Sequence, residues 1–299
     1  MTVAEPHRPL TTTSDPAGRD PTGLDTTGLG PAGVGPAGVV PTATPARAPR
    51  PLRWLGTAVS RYWTVVVFFV AWQLWATLNH YNQIVVPTPV AVLSDVLGHP
   101  DAYLADLAST LAVAAAGLVL GMLLGAGLAV AVWASPLLSG MMTPVALVMR
   151  SVPVVAMIPV LARVFGYSWP TVVVITTVVS FFPAFVFVGS RLRDAPASSL
   201  DLFAVLGASR VTTLRRLLLP HAVPGVLVAF RLAAPTAVLA AMLAEYLMGG
   251  RGLGTLFARA VSFYQADRAW GAALVATVVS VLCFVAARAV ERRGLARMT

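Results

Sequence analysis

The chain has 299 residues, 57% of them hydrophobic and only 11% charged, with mean hydropathy +0.79, against about 25% charged in an ordinary soluble domain. So few charges cannot cover a water-soluble protein of this size, and the excess apolar surface calls for lipid as solvent. All 21 basic residues are arginine, which excludes a P-loop nucleotide site and a Schiff-base lysine. The single cysteine, Cys283, excludes an internal disulfide and a cysteine metal centre.

Residues 1–52 are rich in Pro, Gly, Thr and Ala and repeat Pro-Ala-Gly-Val at Pro31 and Pro36. They lack the bulky apolar residues that offset ordering entropy, so a disordered cytoplasmic tail is expected. A membrane domain over 53–299 follows. A helical span needs about 20 apolar residues, and six stretches qualify: Tyr62–Leu78, Leu107–Trp133, Gly140–Val164, Pro170–Gly189, Pro224–Met248 and Trp270–Val290. The third carries Pro144, Pro153, Pro159 and Arg150, which points to a kinked or shortened span. Alternating ten-residue strands are absent, so the expected fold is an all-α integral membrane protein.

Arginine placement sets the orientation. Four arginines lie between Arg47 and Arg61, five between Arg191 and Arg216, and four from Arg288 to the end, against Arg163, Arg251, Arg259 and Arg268 on the other side. The bias puts both termini in the cytoplasm. The +9 charge therefore reads as topology, and no nucleic-acid partner is expected. In the second span Gly117, Gly121 and Gly125 clear one helix face for close approach of another helix, in the same chain or in a second copy.

The cytoplasmic segment 191–223 is too long for a plain connector. Leu202, Phe203, Val205 and Leu206 suit a short amphipathic helix, capped by Ser199 or Asp201 and stopped by Gly207. A second helix over Thr212–Leu219 is expected to end at Pro220. Such a helix–turn–helix serves as a docking surface or lies on lipid headgroups. Gly249, Gly250, Gly252 and Gly254 predict a tight outer turn feeding a helix over Thr255–Tyr264.

The loop resembles the EAA loop of ABC importer permeases. Asp201-Leu202-Phe203 stands for E-A-A, Gly207 is the glycine, and Leu217-Leu218-Leu219-Pro220 follows at the family spacing; Leu and Phe replace the two alanines. Val86-Pro-Thr-Pro89, Arg150-Ser-Val-Pro153 with Ile158-Pro159, Phe165-Gly166, Gly207-Ala-Ser-Arg210, Ala244-Glu245 and Gly252-Leu-Gly254 are similar to further motifs of the nitrate, sulfonate and taurine branch. That branch also has members for thiamine-precursor pyrimidines. The resemblance implies a MetI-like bundle of about six spans in the bacterial inner membrane, a non-catalytic subunit without cofactor or metal. It also implies a permease homodimer, two copies of a separate ATPase that binds ATP, and an extracytoplasmic binding protein. Asp201, Leu202, Phe203, Leu206, Gly207, Leu219 and Pro220 would contact the ATPase, with Phe203 and Leu206 filling its cleft.

Arg150 and Arg231 fall within spans, where a charge usually faces a cavity or a partner. Each either neutralises an anionic solute in the pore or serves as a structural pair or a snorkelling side chain. Glu245 is read as an outer gate paired with Arg251, or as a plain interfacial carboxylate. A secondary transporter is the competing class; it calls for coupling carboxylates at mid-membrane and a repeated half.

Overall fold

The computed structural model describes residues 50–79, 86–141 and 153–297. The unit Gly56–Thr299 holds almost all of them; residues 50–55 are the first turns of a helix. The expected tail lies outside the described residues except for 50–52, which are already helical.

Ten helices are described below: α1 (Arg50–Leu78), α2 (Pro89–Gly98), α3 (Pro100–Ala134), α4 (Val154–Phe165), α5 (Trp169–Arg193), α6 (Ala197–Val205), α7 (Arg210–Thr213), α8 (Leu219–Met248), α9 (Leu253–Ser262) and α10 (Ala266–Ala296). A π-helical turn, Leu214–Leu218, joins α7 to α8. Helices α3, α5 and α10, and the continuous rod Arg210–Met248, are long and apolar enough to cross a membrane. Trp63–Leu78 and α4 are shorter apolar helices.

The interior is built from small residues. The buried seam of α3 is Thr110, Ala114, Gly117, Gly121, Gly125 and Ala129, at the three- and four-residue spacing of one helix face. It lies on Thr176, Ser180 and Ala184 of α5. A Cβ added at Gly117 would overlap the Thr176 side chain, and one at Gly121 would stand 2.6 Å from the Ser180 Cβ. The glycine stripe thus packs within the chain, one of its two expected uses. Many bulky Leu, Val and Phe side chains lie outside: Phe68, Leu123, Val164 and Leu282 are each at least 60% exposed. Small residues inside and large apolar ones outside is how helices pack when the solvent is lipid.

The pairing also fixes the crossings. Gly117 faces Thr176 and Gly125 faces Ala184, so α3 and α5 run parallel. The intervening chain must therefore return across the bundle. Its described helix, α4, has only 12 residues, about 18 Å of rise. Pro153 stands at its N-terminal boundary, Pro159 lies within it, and Gly166 follows its last residue. The described part of the third expected span is thus this short helix with a proline inside it; residues 142–152, with Arg150, lie outside the described residues. Trp72 near the end of α1 meets Trp270 near the start of α10, ring centroids 5.1 Å apart. Glu291 near the end of α10 meets Arg231 of α8, and Gly225 near the start of α8 lies against Phe187 and Arg191 of α5, so the end of α10 lies at the end of the bundle where α5 gives way to α6.

Candidate functional site

At that end, α6 begins at Ala197 after Pro196, with no side-chain cap. Neither Ser199 nor Asp201 caps it; both lie inside the helix, and Asp201 points to solvent. Pro196 supplies the extended boundary residue that a cap would otherwise provide. Leu202 is 56% exposed, Val205 86% and Leu206 72%. Together they form an apolar ridge on the outer face of a short helix.

Gly207 ends α6. Its N–H donates to Ala204 O at 3.0 Å, and Ala208 N–H donates to Phe203 O at 2.9 Å. This is a Schellman turn, and it needs the left-handed φ of +67° that Gly207 adopts. Ser209 then caps α7, its Oγ accepting from Thr212 N at 3.2 Å. Phe203 is only half-buried, whereas Val205, which the sequence reading left out of the contact set, is the most exposed apolar side chain here. The Leu202–Val205–Leu206 spacing was the available signal. Behind the ridge, Leu200, Ala204, Ala208, Val211 and Leu214 face Trp133 in the last turn of α3 and Pro136 just beyond it across a hollow of about 500 Å³.

The second loop helix does not stop at Pro220. It starts at Arg210, passes through the π turn and continues as α8. Leu219 N–H reaches back five residues to Leu214 O. The wider turn accommodates Pro220, which lacks an N–H, in the first turn of α8. Leu219 and Pro220 are both exposed on this rod.

Arg231, in α8, forms an ion pair with Glu291 of α10, Nη1 to Oε2 2.9 Å, with side chains 30% and 9% exposed. Of the three alternatives for Arg231, a solute contact, a structural pair or a snorkelling side chain, the pair is the one visible. At the opposite end of α8, Glu245 is 1% exposed. Its Oε2 accepts from Thr110 Oγ1 at 2.8 Å and from Gly254 N at 3.1 Å. The expected pairing with Arg251 is not made: Arg251 is exposed, while Glu245 is turned inward. Nor is Glu245 a plain interfacial carboxylate. The glycine turn does feed a helix, which starts at Leu253, two residues before the expected start.

Nearby on this end, Asp95 of α2 gathers three partners. Tyr103 Oη donates to its Oδ2 at 2.5 Å, Arg268 Nη2 stands 3.4 Å from its Oδ1, and His99 Nδ1 3.3 Å from the same oxygen. None of these is evident from the sequence as a cluster, since Tyr103 lies on α3, Arg268 on α10 and His99 at the junction of α2 and α3.

Comparison with known proteins adds to the geometry. The chain is 28% identical over 220 residues to a probable ABC transporter permease protein of Haemophilus influenzae, spanning 74% of this chain and 90% of the relative. It is 25% identical to the formylaminopyrimidine transport permease ThiX of Halalkalibacterium halodurans (76% and 90%) and 26% identical to the taurine transport permease TauC of Escherichia coli (77% and 86%). Its fold resembles a chain of the methionine ABC transporter MetNI in an inward-facing conformation, with TM-score 0.55 at 20% identity, covering 63% of this chain and 94% of that one. Residues 108–294 match the family described as "Binding-protein-dependent transport system inner membrane component". That match takes in the parallel α3–α5 pair, the loop helices and the α8 rod, and with them the chain belongs to this family of multi-pass ABC importer permeases.

Proposed function

We propose that this permease forms the translocation path for a small anionic solute, a sulfonate, taurine or nitrate, and is driven by a separate ATPase docked on α6. The observation that carries the docking is the ridge Leu202–Val205–Leu206, exposed to 56–86% and held outward by the turn at Gly207. An apolar ridge on a rigid turn, beside Arg210, Arg215 and Arg216, suits a cleft with an apolar floor and an acidic rim. The arginine bias puts this end in the cytoplasm. Two permease copies would enclose the path, each carrying one ATPase, and a binding protein would deliver solute at the α9 end.

The anionic cargo rests on the taurine relative and on Arg150, because the charge of Arg231 is matched by Glu291. The similarity to a formylaminopyrimidine permease favours a second reading, a vitamin-like pyrimidine as cargo. A secondary transporter is disfavoured by the match of residues 108–294 to the binding-protein-dependent family.

The test is co-purification. The tagged chain is expressed with the ATPase of a neighbouring gene, as wild type and as Gly207→Asp. The expected result is ATPase bound to the wild type and lost from the variant. Equal recovery with both, or solute uptake into vesicles without ATP, would refute the docking site or the transporter class respectively.

A further inference from the structure

The first turn of α9 is held in a way that its own sequence cannot provide. A helix leaves its leading N–H groups without intrahelical acceptors, and a neighbouring side chain usually caps one of them. Here Gly252, the N-cap residue, offers no side chain. Instead three successive N–H groups are each taken by a side chain from another helix. Gly252 N donates to Asp106 Oδ1 at 3.2 Å, Leu253 N to Thr110 Oγ1 at 2.9 Å, and Gly254 N to Glu245 Oε2 at 3.1 Å. Asp106 and Thr110 are one turn apart on α3, and Glu245 is on α8. Thr110 is the hub: it accepts from α9 and donates to Glu245, so one hydroxyl links three helices.

The glycines serve this contact. A Cβ at Gly252 would overlap the Glu245 carboxylate, and one at Gly254 would overlap Met242 O. Gly252 also has φ +126°, a region closed to other residues. Beneath the clamp Leu253, Leu256, Tyr103, Ala272 and Ala276 form a buried cluster.

The clamp lies at the far end of α8 from the π turn and the coupling helix. Those 30 residues amount to about 45 Å of rod. We propose that Thr110 and Glu245 are positioning residues that lock α9 to α3 and α8, so that movement imposed at the coupling end arrives at α9 undiminished. α9 then travels with α8 as one body and is not an independent gate. The clamp itself stands on the contacts above; its part in transport rests on the ATPase docking proposed for α6.

The experiment uses the full chain with its ATPase in lipid nanodiscs. Thr110→Val keeps the shape and removes the hub hydroxyl; Thr110→Ser keeps the hydroxyl; Glu245→Gln keeps one acceptor oxygen and covers the case in which the valine variant does not assemble. Two quantities are read: amide hydrogen exchange over residues 252–256, and stimulation of ATP hydrolysis by added binding protein. In Thr110→Val, exchange should rise about tenfold or more, with the ATPase still bound and the stimulation lost. Thr110→Ser should restore both, and Glu245→Gln should fall between. Unchanged exchange in both Thr110→Val and Glu245→Gln would overturn the clamp. Faster exchange with full stimulation would reduce it to a structural contact and overturn the positioning role. If no ATPase co-purifies even with the wild type, the α6 docking fails instead, and the exchange result alone decides the clamp.

Discussion

Adding one methyl group at two glycines of α3 should have opposite effects. At Gly121 a Cβ would stand 2.6 Å from Ser180 Cβ and 2.9 Å from Phe181 N, about 1 Å inside ordinary contact. Phe181 N is backbone, so α3 and α5 must separate. Overpacking of this kind costs about 1–3 kcal/mol, against a gain of roughly 0.5–1 kcal/mol from replacing glycine in a helix. Gly127 lies in the same helix with nothing within 4 Å of its Cβ, so Gly127→Ala keeps only the gain. The two variants should differ by about 1–3 kcal/mol, a gap of roughly 2–10 °C in midpoint for a chain of this size. The assay is the fraction of monodisperse protein left after heating in a mild detergent, for wild type, Gly121→Ala and Gly127→Ala in parallel. Equal midpoints for the two variants, or the reverse order, would show that the α3–α5 seam is not packed backbone to backbone.

Three further outcomes use the same preparations. Arg231→Met strands Glu291, which is 9% exposed; a loss of about 1–3 kcal/mol is expected, below the 3–5 of a fully buried pair because Arg231 is 30% exposed. The double variant Arg231→Met/Glu291→Leu should recover most of that loss in the heating assay. Gly207→Val forces a branched side chain into φ +67°, costing about 1–2 kcal/mol locally, and should release the ATPase on purification; Gly207→Asn should retain most of it, since asparagine tolerates that conformation. Val205→Asp alters a side chain that is 86% exposed, so the midpoint should stay within about 0.5 kcal/mol of wild type while ATPase recovery falls.

Local features were the legible ones. The apolar runs, the glycine stripe and the stop at Gly207 each follow from spacing within one segment, and the helix end at Gly207 appears where its lack of a Cβ predicts it. Features that depend on a partner far along the chain were not. Glu245 was read against Arg251, six residues on, but it meets Thr110, 135 residues away. Arg231 was left between pore and pair because Glu291 comes from another span. The rod through Pro220 was missed for a different reason: proline usually marks a helix boundary, and only a π turn, which has no simple sequence signal, carries the helix past it.

The composition of α8 explains why its few polar contacts matter. Its buried face is mostly alanine, at 222, 229, 233, 234, 237, 240, 241 and 244. An alanine seam lets backbones approach closely, but it offers few knobs to resist rotation or sliding. Register must then come from directional contacts, and α8 has them at Arg231 and Glu245, 14 residues or about 21 Å apart. One ties it to α10 through an ion pair, the other to α3 and α9 through hydrogen bonds. A smooth rod fixed at two points can transmit a displacement from its α6 end along its length. The same rod with one anchor removed can turn about the other, and the motion would be lost before it reached α9.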